Sequence, residues 1–192
     1  GNGYVKGDTD LIPSNIKEDV NIFNVVGTLK EGAVIKSVQS GLTTITITSR
    51  SVDINAVSLD KSFLIFSTSG GGADPREHAV YGSLSSNRLY FENSYDTSPR
   101  DILISWMVVE FEKGVSVQRG SYNMPSDSEE ETISISSVDV NKSFVIASSS
   151  GGGINNPRDK VAVDISSSTT LRFRQARTGN STNIHWQVVT FL

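Results

Sequence analysis

Apolar residues along this chain recur mostly at every second position. Ile133-Ser134-Ile135-Ser136 and Leu171-Arg172-Phe173-Arg174 alternate strictly, the period of a strand with one face in a core and the other in water. A second pattern runs through Ile104, Trp106 and Val108 on one phase and Val109 and Phe111 on the other. Both phases are apolar there, as in a strand held between two packed faces. Cut at the turn-forming residues, these runs predict strands at Val52–Val57, Ser62–Thr68, His78–Leu84, Arg88–Asn93 and Ile102–Phe111. Five more follow at Thr132–Val138, Ser143–Ser148, Lys160–Ile165, Thr170–Ala176 and Thr182–Phe191. Leu42–Ile47 is a further strand-like run, whereas Tyr122-Asn123-Met124-Pro125, its counterpart downstream, does not read as strand. Many short strands with closely spaced turn signals predict an all-β, antiparallel sandwich or small barrel.

The second set of strands is a copy of the first. Lys61-Ser62-Phe63 recurs as Lys142-Ser143-Phe144, and Gly70-Gly71-Gly72 as Gly151-Gly152-Gly153. Pro75-Arg76 returns as Pro157-Arg158, and Leu89-x-Phe91 as Leu171-x-Phe173. Trp106-x-Val108-Val109-x-Phe111 returns as Trp186-x-Val188-Val189-x-Phe191, and Ser37-Val38-Gln39-x-Gly41 as Ser116-Val117-Gln118-x-Gly120. All keep their order at an offset of about 80 residues, the signature of a tandem duplication. The offset drifts only around Ser126–Glu130, beside the triple glycines and opposite Asn93–Pro99, all polar and rich in turn formers, where connections tolerate length change. The predicted organisation is a connecting or oligomerisation segment (1–33), a first β domain (34–113) and a second (114–192), the two being tandem, homologous and sandwich-like. In the lead-in, Ser14–Glu18 after Pro13 predicts one helical turn ended at Asp19, and Ile22–Val26 a short strand. So small a helix–strand segment must lean on something else for its core.

Composition narrows the function classes. At 36% hydrophobic and 20% charged, the 192 residues are too apolar for disorder. No apolar run approaches the length of a membrane-spanning helix, so no membrane partner is expected. A net charge of −4 and pI near 5.2, with both signs scattered, argue against nucleic acid. Without cysteine there is no disulfide framework, thiolate metal site or cysteine nucleophile. The chain opens Gly1-Asn2-Gly3 with no initiator Met or signal peptide, as a fragment of something longer does.

Leu11-Ile12-Pro13-x-Asn15-Ile16-Lys17, followed by Val20-x-Ile22-Phe23-x-Val25-x-Gly27-Thr28, resembles a segment common in tail proteins of phages and prophages of Gram-positive bacteria. That pattern has glycines where this chain has Asp19 and Asn24, the residue types that best tolerate left-handed backbone in place of glycine. The repeat that begins Val-Gln-x-Gly and ends Trp-x-Val-Val-x-Phe is similar to modules at the C-terminal ends of phage fibre proteins. The resemblance implies a virion tail fibre, spike or baseplate component, extracellular after host lysis. It also implies a homotrimer whose distal receptor-binding modules touch the host surface and whose partners include other tail proteins. A six-stranded sandwich of the H-type lectin kind is an analogy of architecture alone.

The candidate chemistry is binding rather than catalysis. The triple-glycine loops lack the Gly-Lys-Ser/Thr of a phosphate loop. Each carries an Arg after its Pro, followed by an acid (Arg76-Glu77, Arg158-Asp159), suited either to glycan contact or to a structural Arg–carboxylate bond. Trp106 and Trp186 read as core. Tyr95, Asp96 and Arg100 share one loop, and Tyr90 lies on the outward phase of its strand. A flat ring, a carboxylate and an Arg together suit a hydroxyl-rich bacterial cell-surface glycan or wall polymer. The second copy offers Arg172, Arg174, Arg177 and His185, suited to anionic groups or else to pairing with acids on the neighbouring strand. The acidic run Asp127–Glu131 lacks the ligand alternation of a calcium loop. His78 and His185 stand in no metal-binding spacing, so neither metal nor cofactor is expected. No nucleophile motif is present, and the expected role is non-catalytic adhesion. The alternatives are a purely structural tail component or a surface-polysaccharide depolymerase.

Overall fold

The computed structural model describes residues 9–29, 32–70, 79–93, 101–151, 161–179 and 181–192. The protein is all-β and built of small antiparallel sheets. Among its described residues the lead-in holds one 3-10 turn, Pro13–Asn15, and a hairpin of β1 (Asn21–Ile22) and β2 (Val25–Val26). Where one helical turn over Ser14–Glu18 is expected from the sequence, only this short 3-10 turn forms, because Ile16 is already extended. The predicted strand Ile22–Val26 reverses at Phe23-Asn24, which take φ of 50° and 68°. Left-handed backbone at both central positions matches the twist of a two-residue hairpin. Asp19 is left-handed as well, at φ 65°.

The first repeat contributes β3 (Val34–Ile45), β4 (Ser49–Asp53), β5 (Ser62–Gly70), β6 (Val80–Leu84), β7 (Arg88–Asn93) and β8 (Ile102–Lys113). They form two three-stranded sheets, β3-β8-β5 and β4-β7-β6. The second contributes β9 (Val115–Met124), β10 (Glu130–Ser134), β11 (Ser143–Gly151), β12 (Val161–Ser167), β13 (Thr170–Gln175) and β14 (Thr182–Phe191). Its sheets, β9-β14-β11 and β10-β13-β12, have the same order. In each repeat the two sheets share one core: Ile45, Leu64, Leu89, Phe91, Ile104 and Trp106 in the first, Met124, Leu171, Phe173, Ile184 and Trp186 in the second.

The recurring letters have physical causes. Gly41 lies opposite Trp106 and Gly120 opposite Trp186. A Cβ at either glycine would come within 2.7 or 2.6 Å of the indole, so the missing side chain is the space the tryptophan fills. The glutamine two residues earlier closes a gap in the ladder. Gln39 donates to Asn55 O and accepts from Asn55 N, and Gln118 does the same with Ser136, at 2.7–3.0 Å. Each amide thus replaces a strand neighbour for an irregular segment. Ser62 and Ser143 donate to Ser58 O and Asp139 O across the 3-10 turns Leu59–Lys61 and Val140–Lys142.

Two expectations are corrected. The strands predicted to reach Val57 and Val138 end at Asp53 and Ser134, since the residues beyond bond to the glutamine amides and to Asn87, Ser86, Thr169 and Ser168. Tyr122–Met124, expected not to be strand, is the end of β9, paired with Thr182–Ile184. Met124 is fully buried and the Tyr122 ring stacks 4.8 Å from Phe173. Cross-strand packing decides strand formation here, not local propensity.

Only Gly114 separates β8 from β9, at φ 79°, so the second repeat starts where the first stops. A third cluster of Phe63, Val109, Phe111, Val115, Val117 and Val189 fills the junction. These are the apolar residues on the second phase of the tryptophan strands and their neighbours.

Replacing Gly41 or Gly120 by Ala therefore forces a methyl group against an indole and costs about 1–3 kcal/mol in each repeat. Equilibrium urea unfolding checks this; a loss below about 0.5 kcal/mol at both sites contradicts the packing argument.

Candidate functional site

The edge strands β5 and β6 of the first repeat lie against the outward face of β9-β14-β11 of the second. Position by position along β14, Ile184, Trp186 and Val188 enter the core, which leaves His185, Gln187 and Val189 on the side facing the first repeat. Gln187 accepts from Leu64 N and donates to Leu64 O, both at 2.9 Å. Its amide thereby satisfies backbone groups on an open sheet edge. Ser148 Oγ accepts from Gly82 N at 3.1 Å. Arg119 Nη2 donates to Ser62 O at 2.6 Å and to Leu59 O. These are all contacts between repeats.

At the upper end of this seam the His185 ring stacks on Tyr81, centroids 4.9 Å apart and planes 14° from parallel. Tyr81 lies on the outer face of β6, opposite Glu92 of β7. It is buried only because the second repeat covers it. Glu92 accepts from Tyr90 Oη at 2.7 Å and lies directly across the strand pair from Tyr81. Burial, then the neighbouring Glu92 carboxylate, pushes the Tyr81 hydroxyl well above the ordinary tyrosine value. The bond to Glu92 raises Tyr90 as well. Burial lowers His185 below its usual 6.5, against the pull of the Glu92 charge. Two tyrosines, a carboxylate and a neutral imidazole thus converge on one spot, with a pocket of about 240 Å³ alongside, lined by Ser83, Leu84, Arg119, Ser121, His185 and Gln187.

The residues proposed from sequence fall into three groups, apart from Arg177, which is exposed two residues past the end of Thr170–Gln175. Tyr90 and His185 come together here, although one belongs to each repeat. Arg172 and Arg174 lie elsewhere, on the outer face of β13. Arg172 bonds Asp164 through two nitrogens at 3.3 and 3.0 Å, and Arg174 shares the same carboxylate at 3.1 Å. The Arg172 bond and charge hold Asp164 below the usual aspartate range despite desolvation. The arginine pair is engaged by an acid on the neighbouring strand, as one of the two sequence readings had it. Arg76, His78, Tyr95, Asp96, Arg100 and Arg158 lie outside the described residues. The strand ends flanking them are described and pair with one another within each sheet. Gly70 and Ile45 both pair with Ile102, and Val80 pairs with Asn93. In the second repeat Gly151 and Met124 both pair with Thr182, and Val161 with Gln175. Glu92 is one residue from that end of its strand.

Sequence reasoning missed Glu92, Tyr81 and Arg119. Glu92 was within reach, since it shares the outward phase of Tyr90 two residues away. Tyr81 and Arg119 had no signal, because their surroundings come from the other repeat. Among the described residues no group of three or more His, Asp or Glu side chains is placed to hold a metal ion.

The His185 shift has a consequence for stability. A base whose folded pKa is depressed leaves stability untouched above its unfolded value and removes it as pH falls through that value toward the folded one. The seam is therefore expected to weaken as pH drops below about 6.5, the unfolded value, and His185→Gln removes that part of the slope. Thermal unfolding of both proteins between pH 7.5 and pH 5 checks it; identical slopes contradict it. Comparisons with protein-family models, with curated proteins and with solved structures gave no match to this chain.

Proposed function

We propose that this chain is the distal part of a phage-type tail appendage. On this reading its two repeats are tandem, homologous β-sandwich domains that grip a host cell-surface glycan without cleaving it. The observation that carries the binding reading is the Tyr81–Tyr90–Glu92–His185 cluster. The Tyr90 ring is exposed and offers a flat apolar surface for a sugar ring. Glu92 is an acceptor for sugar hydroxyls, held in place by the Tyr90 hydroxyl. Rotamers locked from behind reduce the ordering cost of binding. The scaffold is stiff at this point, because the two repeats meet there through backbone-directed bonds.

A structural role inside a tail assembly is the second reading. It is favoured by the apolar residues Val38, Leu42, Ile65, Leu103 and Met107, exposed on the first repeat, because a patch of that kind commonly marks a protein contact.

Isothermal titration with purified host wall glycan tests the first reading. Tyr90→Ala and Glu92→Gln are expected to weaken binding by tenfold or more, about 1.4 kcal/mol, with an unchanged circular dichroism spectrum. Failure of the unmodified protein to bind, binding indifferent to both substitutions, or release of reducing ends from the glycan would each overturn it.

A further inference from the structure

The interface between the repeats is not symmetric. The first repeat offers its edge: Leu59, Ser62, Leu64, Tyr81 and Gly82 on β5, β6 and the turn before them. The second offers a sheet face: Val117, Arg119, Ser148, His185 and Gln187. A contact that joins unlike surfaces of like units is heterologous, and it leaves one surface of each kind unused. The duplication identifies both. The unused face belongs to the first repeat, on the part of β3-β8-β5 beyond Val109 and Phe111, which already lie in the junction. The unused edge belongs to the second repeat, on β11, β12 and the turn Val140–Lys142.

Exposure follows that assignment residue by residue. On the face, Val117 is 8% exposed in the covered copy, and its counterpart Val38 is 50% exposed. On the edge, Leu59 is partly buried in the covering copy and its counterpart Val140 is 46% exposed. Phe144 and Phe191, 39% and 40% exposed, already stand edge-on to Phe63 and Phe111 at the junction, with ring centroids 6.0 and 6.2 Å apart, and so belong to the existing seam. The open face also carries Ile65 and Met107, counterparts of Ile146 and Gln187, which bear on the seam in the second repeat. A depression of about 630 Å³ lies on it between Ser40, Leu42, Ile65, Ser105 and Met107. The equivalent surface of the second repeat is occupied by Gly82, Ser83 and Leu84 of the first.

We propose that this open part of the outward face of β3-β8-β5 is a docking site for a second copy of this chain, which inserts its β11/β12 edge as β5/β6 inserts within one chain. The occupant follows from continuity with the seam already described. The chain carries both halves of the missing contact, apolar on both sides, and the internal junction is its template. Repeating the operation either closes a ring or extends a filament, depending on the rotation.

Sedimentation velocity of the full chain over a concentration series tests this. The expected result is reversible association above the monomer mass of 20.7 kDa. Val38→Glu, on the exposed face and outside both cores, is expected to weaken association by tenfold or more without altering thermal unfolding of the monomer. Met107→Gln places on the open face the amide that Gln187 supplies at the seam, and is expected to tighten association. A monomer at every concentration, or association indifferent to Val38→Glu, overturns the proposal. Loss of glycan binding with association intact would bear on the adhesion reading alone.

Discussion

A three-stranded sheet has two edges, and each edge carries backbone donors and acceptors that must find partners or water. How this protein handles that constraint decides much of its architecture. Within each repeat, a glutamine amide fills the place of a missing strand beside Asn55 or Ser136. Between repeats, another glutamine does the same for Leu64. The edge of the first repeat is thereby closed by the face of the second, and the phenylalanine and valine cluster excludes water from the junction. With one glycine as the whole connection, the chain has little freedom to arrange the repeats otherwise.

That closure builds the candidate site. Tyr81 would stand on an open outer face without the second repeat, and His185 would face water without the first. Their stack draws Glu92 and Tyr90 into one group with a half-buried imidazole at its back. One buried charge in the first repeat shows how far the copies have diverged in detail. Burial pushes the Glu110 carboxyl up, but bonds from Ser58 N, Lys36 and Ser37 outweigh it and keep the group ionised. At the equivalent place the second repeat has Thr190, bonded to Ser143 at 2.9 Å. The scaffold tolerates a charged or a neutral solution there, provided each buried polar atom has a partner.

Strand positions were legible because alternation is local: Leu171, Phe173, Ile184 and Trp186 announce their face by their spacing. The duplication was legible because close contacts preserve letters, glycine against tryptophan most clearly. Strand ends were less so. Tyr122–Met124 is held as strand by Thr182–Ile184, a neighbour about 60 residues away. The segments after Asp53 and Ser134 are irregular because a side chain supplies their ladder bonds. Tyr90 and His185 were picked individually, but their meeting depends on how one repeat sits on the other. No periodicity within a repeat encodes that. The asymmetry of the seam, with Val117 covered and Val38 open, was likewise absent from the pattern, since both copies carry the same Ser-Val-Gln.

The claim that orders all of this is that the two repeats form one built junction, directed by the Gln187 amide onto the backbone of β5. Hydrogen exchange of the Leu64 amide, followed by NMR, reads that bond directly. The account predicts strong protection in the unmodified protein, and selective loss of it in Gln187→Ala while Val108 on the neighbouring strand stays protected. A Leu64 amide that exchanges freely in the unmodified protein, or one unaffected by the substitution, would contradict it.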